Sequence, residues 1–101
     1  MRIAVIGDED TVALFKFAGI GKSVVDGEDV EKKFDELVDD KGMAVILITE
    51  RIADRFAKKI TKIKLQRELP IIIEIPDKKG RIEGREDSVE KLIRRAVGVE
   101  V

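Results

Sequence analysis

Residues 3–6, Ile3-Ala4-Val5-Ile6, form a nearly continuous apolar run. A strand with one wet face alternates apolar and polar side chains. A run without alternation suits a strand covered on both faces, as in a parallel sheet. Two later segments repeat the signal: residues 43–48, Met43-Ala44-Val45-Ile46-Leu47-Ile48, and residues 71–75, Ile71-Ile72-Ile73-Glu74-Ile75, which Pro70 and Pro76 bracket. A fold with such strands needs helices above and below its sheet. Gly7 then supplies a sharp turn, Asp8, Glu9 and Asp10 follow, and a mostly apolar helix begins. Carboxylates in a first turn complement the positive end of the helix dipole. Strand, turn, acidic cap and helix make the first half of a β-α-β unit.

The segments between the apolar runs read as helices. The first covers residues 9–17, and Val12, Ala13, Leu14, Phe15, Phe17 and Ala18 leave it few polar positions. A helix this apolar all round needs more cover than one sheet face provides. Residues 22–25 make a short edge strand after Gly19 and Gly21. Residues 28–40 place Val30, Phe34, Leu37 and Val38 on one helical stripe, with an acidic outer face. Residues 50–67 predict one long helix with Ile52, Phe56, Ile60 and Ile63 buried and Ala53 and Ala57 beside them. Its outer face carries Arg51, Arg55, Lys58, Lys59, Lys62 and Arg67.

Strands alternating with helices predict an α/β fold with a parallel sheet. Right-handed crossovers and one reversal give the order 2-1-3-4, a flavodoxin- or Rossmann-like three-layer arrangement. The first helix then lies alone on one face of the four-stranded sheet, and the next two share the other. Residues 1–50 carry 6 basic and 12 acidic side chains, whereas residues 51–67 carry 7 basic and 1 acidic. The topology explains that asymmetry, because it sets the acidic helix beside the basic one. It also leaves the sheet face behind the third and fourth strands without a helix.

The domain is expected over residues 1–76 and a charged, glycine-containing linker over 77–86. An amphipathic helix follows within 87–101. Asp87 and Glu90 have capping-box spacing, and Val89, Leu92, Ile93, Ala96 and Val97 form one stripe over residues 88–97. A helix this short does not stand alone in water, so it must dock on its own domain or on a partner. One with two docking sites is a switch.

Composition removes most chemistry. The chain has no Cys and no His, so no disulfide, thiolate metal site or His-activated nucleophile can be built. The turn at Gly7 is a poor phosphate cradle: it has one glycine, and three carboxylates repel an anion. Asp8, Glu9 and Asp10 suit a divalent metal better, as in receiver domains, which is the alternative reading. A receiver also needs an Asp ending the third strand, where this chain has Ile48-Thr49-Glu50. The basic helix lacks interleaved aromatic residues for stacking on bases, so no nucleic acid is expected as a partner. No apolar run spans a bilayer, and the chain opens on a core strand, so a cytoplasmic protein without membrane insertion is expected. Charged residues make up 41% of the chain, Asn is absent, and this bias is that of hyperthermophile proteins.

Four motifs occur in order: Ile6-Gly7-Asp8-Glu9-Asp10-Thr11-Val12, Phe15 with Phe17-Ala18-Gly19-Ile20, Leu69-Pro70-Ile71-Ile72-Ile73-Glu74-Ile75-Pro76, and Asp87-Ser88-Val89 with Leu92-Ile93. Together they resemble the F subunit of the archaeal A-type and related V-type rotary ATPases, over essentially the whole chain. The linker segment 80–85 departs from the Tyr-Asp-Pro-like element of some relatives. The resemblance implies a small four-stranded α/β domain with a mobile terminal helix, acting as a non-catalytic part of the central rotor stalk. It implies no cofactor, docking on the coiled-coil D subunit of the stalk, and a terminal helix reaching the catalytic A/B headpiece to modulate hydrolysis. ATP synthesis would be coupled to proton or sodium transport, with the protein peripheral on the cytoplasmic side of the membrane. The partner-binding residues expected on this reading are Phe15, Phe17, Val89, Leu92, Ile93, Arg94, Arg95 and Val97.

Overall fold

A computed structural model of the chain describes residues 2–77. The elements run β1 (Arg2–Gly7), α1 (Glu9–Phe17), β2 (Lys22–Val25), α2 (Val30–Asp39), β3 (Met43–Thr49), α3 (Glu50–Arg55), α4 (Ala57–Gln66) and β4 (Ile71–Ile75). The four strands form one sheet in the order β2-β1-β3-β4. Every neighbouring pair is parallel. This is the expected α/β fold with the 2-1-3-4 order. α1 packs on β1 and β2, while α2, α3 and α4 pack on strands from β2 to β4. The sheet is therefore the middle of three layers.

The main core lies between the sheet and α2–α4. Ala4, Ile6, Val24, Ile46, Ile48 and Ile72 contribute one side of the sheet, and Val30, Phe34, Leu37, Ile52 and Ile60 press on them. Each of these Val, Leu, Ile and Phe side chains taken fully out of water stabilises the fold by about 1.5–3 kcal/mol. Phe34 is the largest fully buried side chain, and its ring stacks on Phe56 at 5.7 Å between centroids. A smaller apolar contact, with Val5 and Val12 buried, lies on the α1 side.

The single helix expected over residues 50–67 is two. The chain turns at Phe56 (φ −116°, ψ 23°), where the Phe56 N–H donates to the Ala53 carbonyl at 3.0 Å. This tightened, three-residue turn seats the Phe56 ring against Phe34. The Phe56 carbonyl accepts from the Ile60 N–H at 2.9 Å and restarts the helix. Ala57, expected beside the buried stripe, is exposed. The second helix is shorter than its pattern: residues 28 and 29 belong to a turn, and α2 begins at Val30.

The acidic and basic helices do lie side by side. Lys59 reaches Glu31 at 2.9 Å and Asp35 at 3.0 Å. Arg67 reaches Asp39 at 3.1 Å and also donates to the Val38 carbonyl. Arg55 pairs with Asp26 at 2.6 Å. The uneven charge distribution is thus largely used within the fold.

Candidate interaction surface

The acidic turn after β1 serves the fold. Asp8 caps α1: one carboxylate oxygen accepts from the Thr11 hydroxyl at 2.6 Å and the other from the Thr11 N–H at 3.3 Å. Gly7 is required by close approach, since a Cβ there would lie 3.0 Å from Cγ2 of Thr49 and 3.2 Å from Cγ2 of Thr11. Thr49 is itself buried, so it has no room to yield. Glu9 and Asp10 occupy the first turn of α1, where they favour its dipole. Among the described residues no three carboxylates are grouped to hold a metal ion.

The other end of α1 differs. Thr11 and Val12 are buried and Phe15 is half-buried, and at about 100° per residue these three share the side facing the sheet. Phe17 points the opposite way and is 94% exposed, and Leu14 beside it is 65% exposed. The two phenylalanines expected in one partner surface thus occupy different sides of the helix. The chain fixes this end with a Schellman cap: the Ile20 N–H donates to the Phe15 carbonyl at 3.0 Å and the Gly19 N–H to the Lys16 carbonyl at 3.0 Å. Gly19 adopts φ +103°, a conformation natural to glycine. The motif Phe17-Ala18-Gly19-Ile20 is therefore a helix stop that leaves Phe17 in the last turn, outward.

The described residues cover the same side of the sheet only in part. Ile3, Val45 and Ile71 are register partners in one row, and Val5, Leu47 and Ile73 form the next. Val5 is buried. Leu47 and Ile73 are half-buried, and Ile3 and Ile71 are exposed. Thr11 meets Gly7 from the side on which Thr49 of β3 lies. Leu14 and Ala18 are on that flank of the helix by rotation, toward the open β3–β4 face. A shallow groove lined by Arg2, Ile3, Gly19, Ile20, Gly21 and Lys22 adds two cations at the amino end of β1 and β2. Exposed Ile3, Leu14 and Ile71 and half-buried Leu47 and Ile73 thus share the side of the sheet that carries α1.

Sequence reasoning named Phe17, which is exposed, and expected no helix on the sheet face behind β3 and β4, as is so among the described residues. It did not single out Leu14, whose signal was its place three residues before Phe17. Val89, Leu92, Ile93, Arg94, Arg95 and Val97 lie outside the described residues, as do the helix within 87–101 and all of the linker after residue 77. No helix among the described residues is long and apolar enough to cross a membrane.

Comparison with known proteins agrees with the resemblance. Residues 3–93 match the model of the ATP synthase (F/14-kDa) subunit family. The A-type ATP synthase F subunit of Thermococcus kodakarensis is 39% identical over 107 residues, covering 100% of this chain and 98% of the relative. The F subunit of the Methanocaldococcus jannaschii A-type ATP synthase is 40% identical, covering 98% of this chain and 97% of the relative. That of Pyrococcus furiosus is 40% identical over 107 residues, covering 100% of this chain and 98% of the relative. With the family match and these relatives each spanning nearly the whole sequence, the chain belongs to the ATP synthase (F/14-kDa) subunit family.

Proposed function

We propose that this chain is a non-catalytic subunit of the central stalk of an A-type rotary ATP synthase, held by its α1-side surface. One observation carries the reading beyond family membership: α1 bears a nearly fully exposed phenylalanine on its outward side and an exposed leucine on the flank next to a sheet face that the described residues only partly cover. A chain that lacks His and Cys, and whose acidic turn is spent on capping α1, is equipped for contact rather than catalysis. The use of Asp8 as a cap also argues against the receiver-like metal reading.

The long coiled-coil D subunit of the stalk is the partner that Phe17 and Leu14 would meet. Residues 1–76 act as the docking domain and 77–86 as a linker. The helix within 87–101 uses Val89, Leu92, Ile93 and Val97 as its apolar stripe and Arg94 and Arg95 as its cationic edge. That helix modulates ATP hydrolysis by reaching toward the A/B headpiece, or is parked on the open β3–β4 face. The assembled complex couples ATP synthesis to proton or sodium transport, with this subunit on the cytoplasmic side of the membrane.

The test is reconstitution. The full chain should co-elute stoichiometrically with the purified coiled-coil stalk subunit. The Leu92→Asp variant should still bind that subunit while changing the hydrolysis rate of the reassembled complex. Failure of the full chain to bind the coiled coil would overturn the stalk assignment. Unchanged hydrolysis with Leu92→Asp would overturn the regulatory helix alone.

A further inference from the structure

The cations of α3 and α4, with Arg67 just beyond, divide into two groups. Arg51 pairs with Asp77, Arg55 with Asp26, Lys59 with Glu31 and Asp35, Lys64 with Glu74, and Arg67 with Asp39. The fold uses all of these. Lys58 and Lys62 are exposed and form no ion pair among the described residues. They are spaced i, i+4, and Leu65 follows at i+7, so the three lie within roughly 60° of arc on the helix surface. Ile60 is buried and Ile63 half-buried on the opposite side. Leu65 is 74% exposed. The outward pole of α4 thus carries a leucine flanked by two lysines that form no ion pair among the described residues. A groove lined by Glu31, Asp54, Arg55, Phe56 and Lys59 opens beside Lys58, where the helix is broken.

We propose that this pole of α4, Lys58, Lys62 and Leu65, is a second docking surface, for an acidic amphipathic helix of another subunit of the assembly. It rests on the reading of the chain as a subunit, but not on the α1 surface, which lies on the opposite face of the sheet. Charge complementarity selects the occupant. The i, i+4, i+7 row matches one stripe of a partner helix, its lysines meet carboxylates at the rim, and Leu65 fills the apolar seam. A phosphate backbone would use the lysines but leave Leu65 in water. A second copy brings its α2 acids already paired with its own Lys59 and Arg67.

The experiment places p-benzoylphenylalanine at Leu65, and separately at Phe17, in the full chain assembled with the other subunits. The Leu65→p-benzoylphenylalanine chain should crosslink to an acidic helical segment of one other subunit. Lys58→Glu with Lys62→Glu should weaken the affinity for that subunit about tenfold or more at low salt, with the deficit shrinking as salt rises. The melting temperature of the isolated chain should be unchanged. A crosslink from position 17 with none from position 65 would overturn this inference and leave the stalk assignment standing. A crosslink from position 65 to a second copy would overturn it too. So would loss of RNA or anionic-vesicle binding in the double variant with subunit affinity unchanged.

Discussion

Replacing Phe17 by serine separates the contact surface from the fold. The side chain is 94% exposed in the free chain, so serine removes almost no packing. The stability change should stay within about 0.5 kcal/mol, as for surface substitutions generally. If a partner covers the ring, binding gains roughly the transfer free energy of a buried phenylalanine, about 2–3 kcal/mol. That corresponds to about 30–150-fold in Kd. The assay is isothermal titration of the full chain into the purified coiled-coil stalk subunit, with thermal melts of both forms. Phe34→Ala is the internal contrast, because that ring is fully buried and stacked on Phe56. It should lose about 3–5 kcal/mol of stability, since the cavity cannot collapse completely. A Kd for Phe17→Ser within twofold of the parent would refute the docking role of α1. A melting temperature that falls as far as that of Phe34→Ala would refute the structural premise.

Further outcomes follow from the geometry. Gly7→Ala should cost about 1–3 kcal/mol in denaturant unfolding, because its methyl meets the buried Thr49 at 3.0 Å. Asp8→Ala should cost about 1 kcal/mol through loss of the cap on α1, and titrating Mg²⁺ into the parent should leave the amide signals of residues 8–10 in place. The Lys59 ammonium is held above its ordinary value of 10.5 by its hydrogen bonds to Glu31 and Asp35. With the folded pKa raised, its stabilising contribution is complete below the ordinary lysine value and is lost as pH rises through the folded one. Unfolding followed from about pH 9 to 12 should show that loss in the parent and not in Lys59→Met. It should amount to at most about 1 kcal/mol, because the side chains are partly solvated.

β1, β3 and β4 were legible because unbroken apolar runs leave no wet face, and the order followed once helices alternated with the strands. The ion pairs between Lys59 and α2 were legible in the same way, since the topology alone placed an acidic helix beside a basic one. The break at Phe56 was not. No glycine or proline marks it, and the stacking of Phe56 on Phe34 that goes with it is a long-range contact that periodicity does not encode. In α1, apolar residues on every side gave no preferred direction. Sequence alone therefore could not tell half-buried Phe15 from exposed Phe17. Leu65 was hidden because a stripe reading follows the buried side, Ile60 and Ile63, and passes over an outward leucine.

Hydroxyl-radical footprinting of the full chain, free and in the assembled complex, tests the central claim most directly, because it reads side-chain access residue by residue. Docking through the α1 surface predicts that oxidation of Phe17 and Leu14 falls sharply on assembly, while buried Phe34 stays unreactive in both states. Unchanged oxidation of Phe17 and Leu14 in a complex that has incorporated the chain would contradict it.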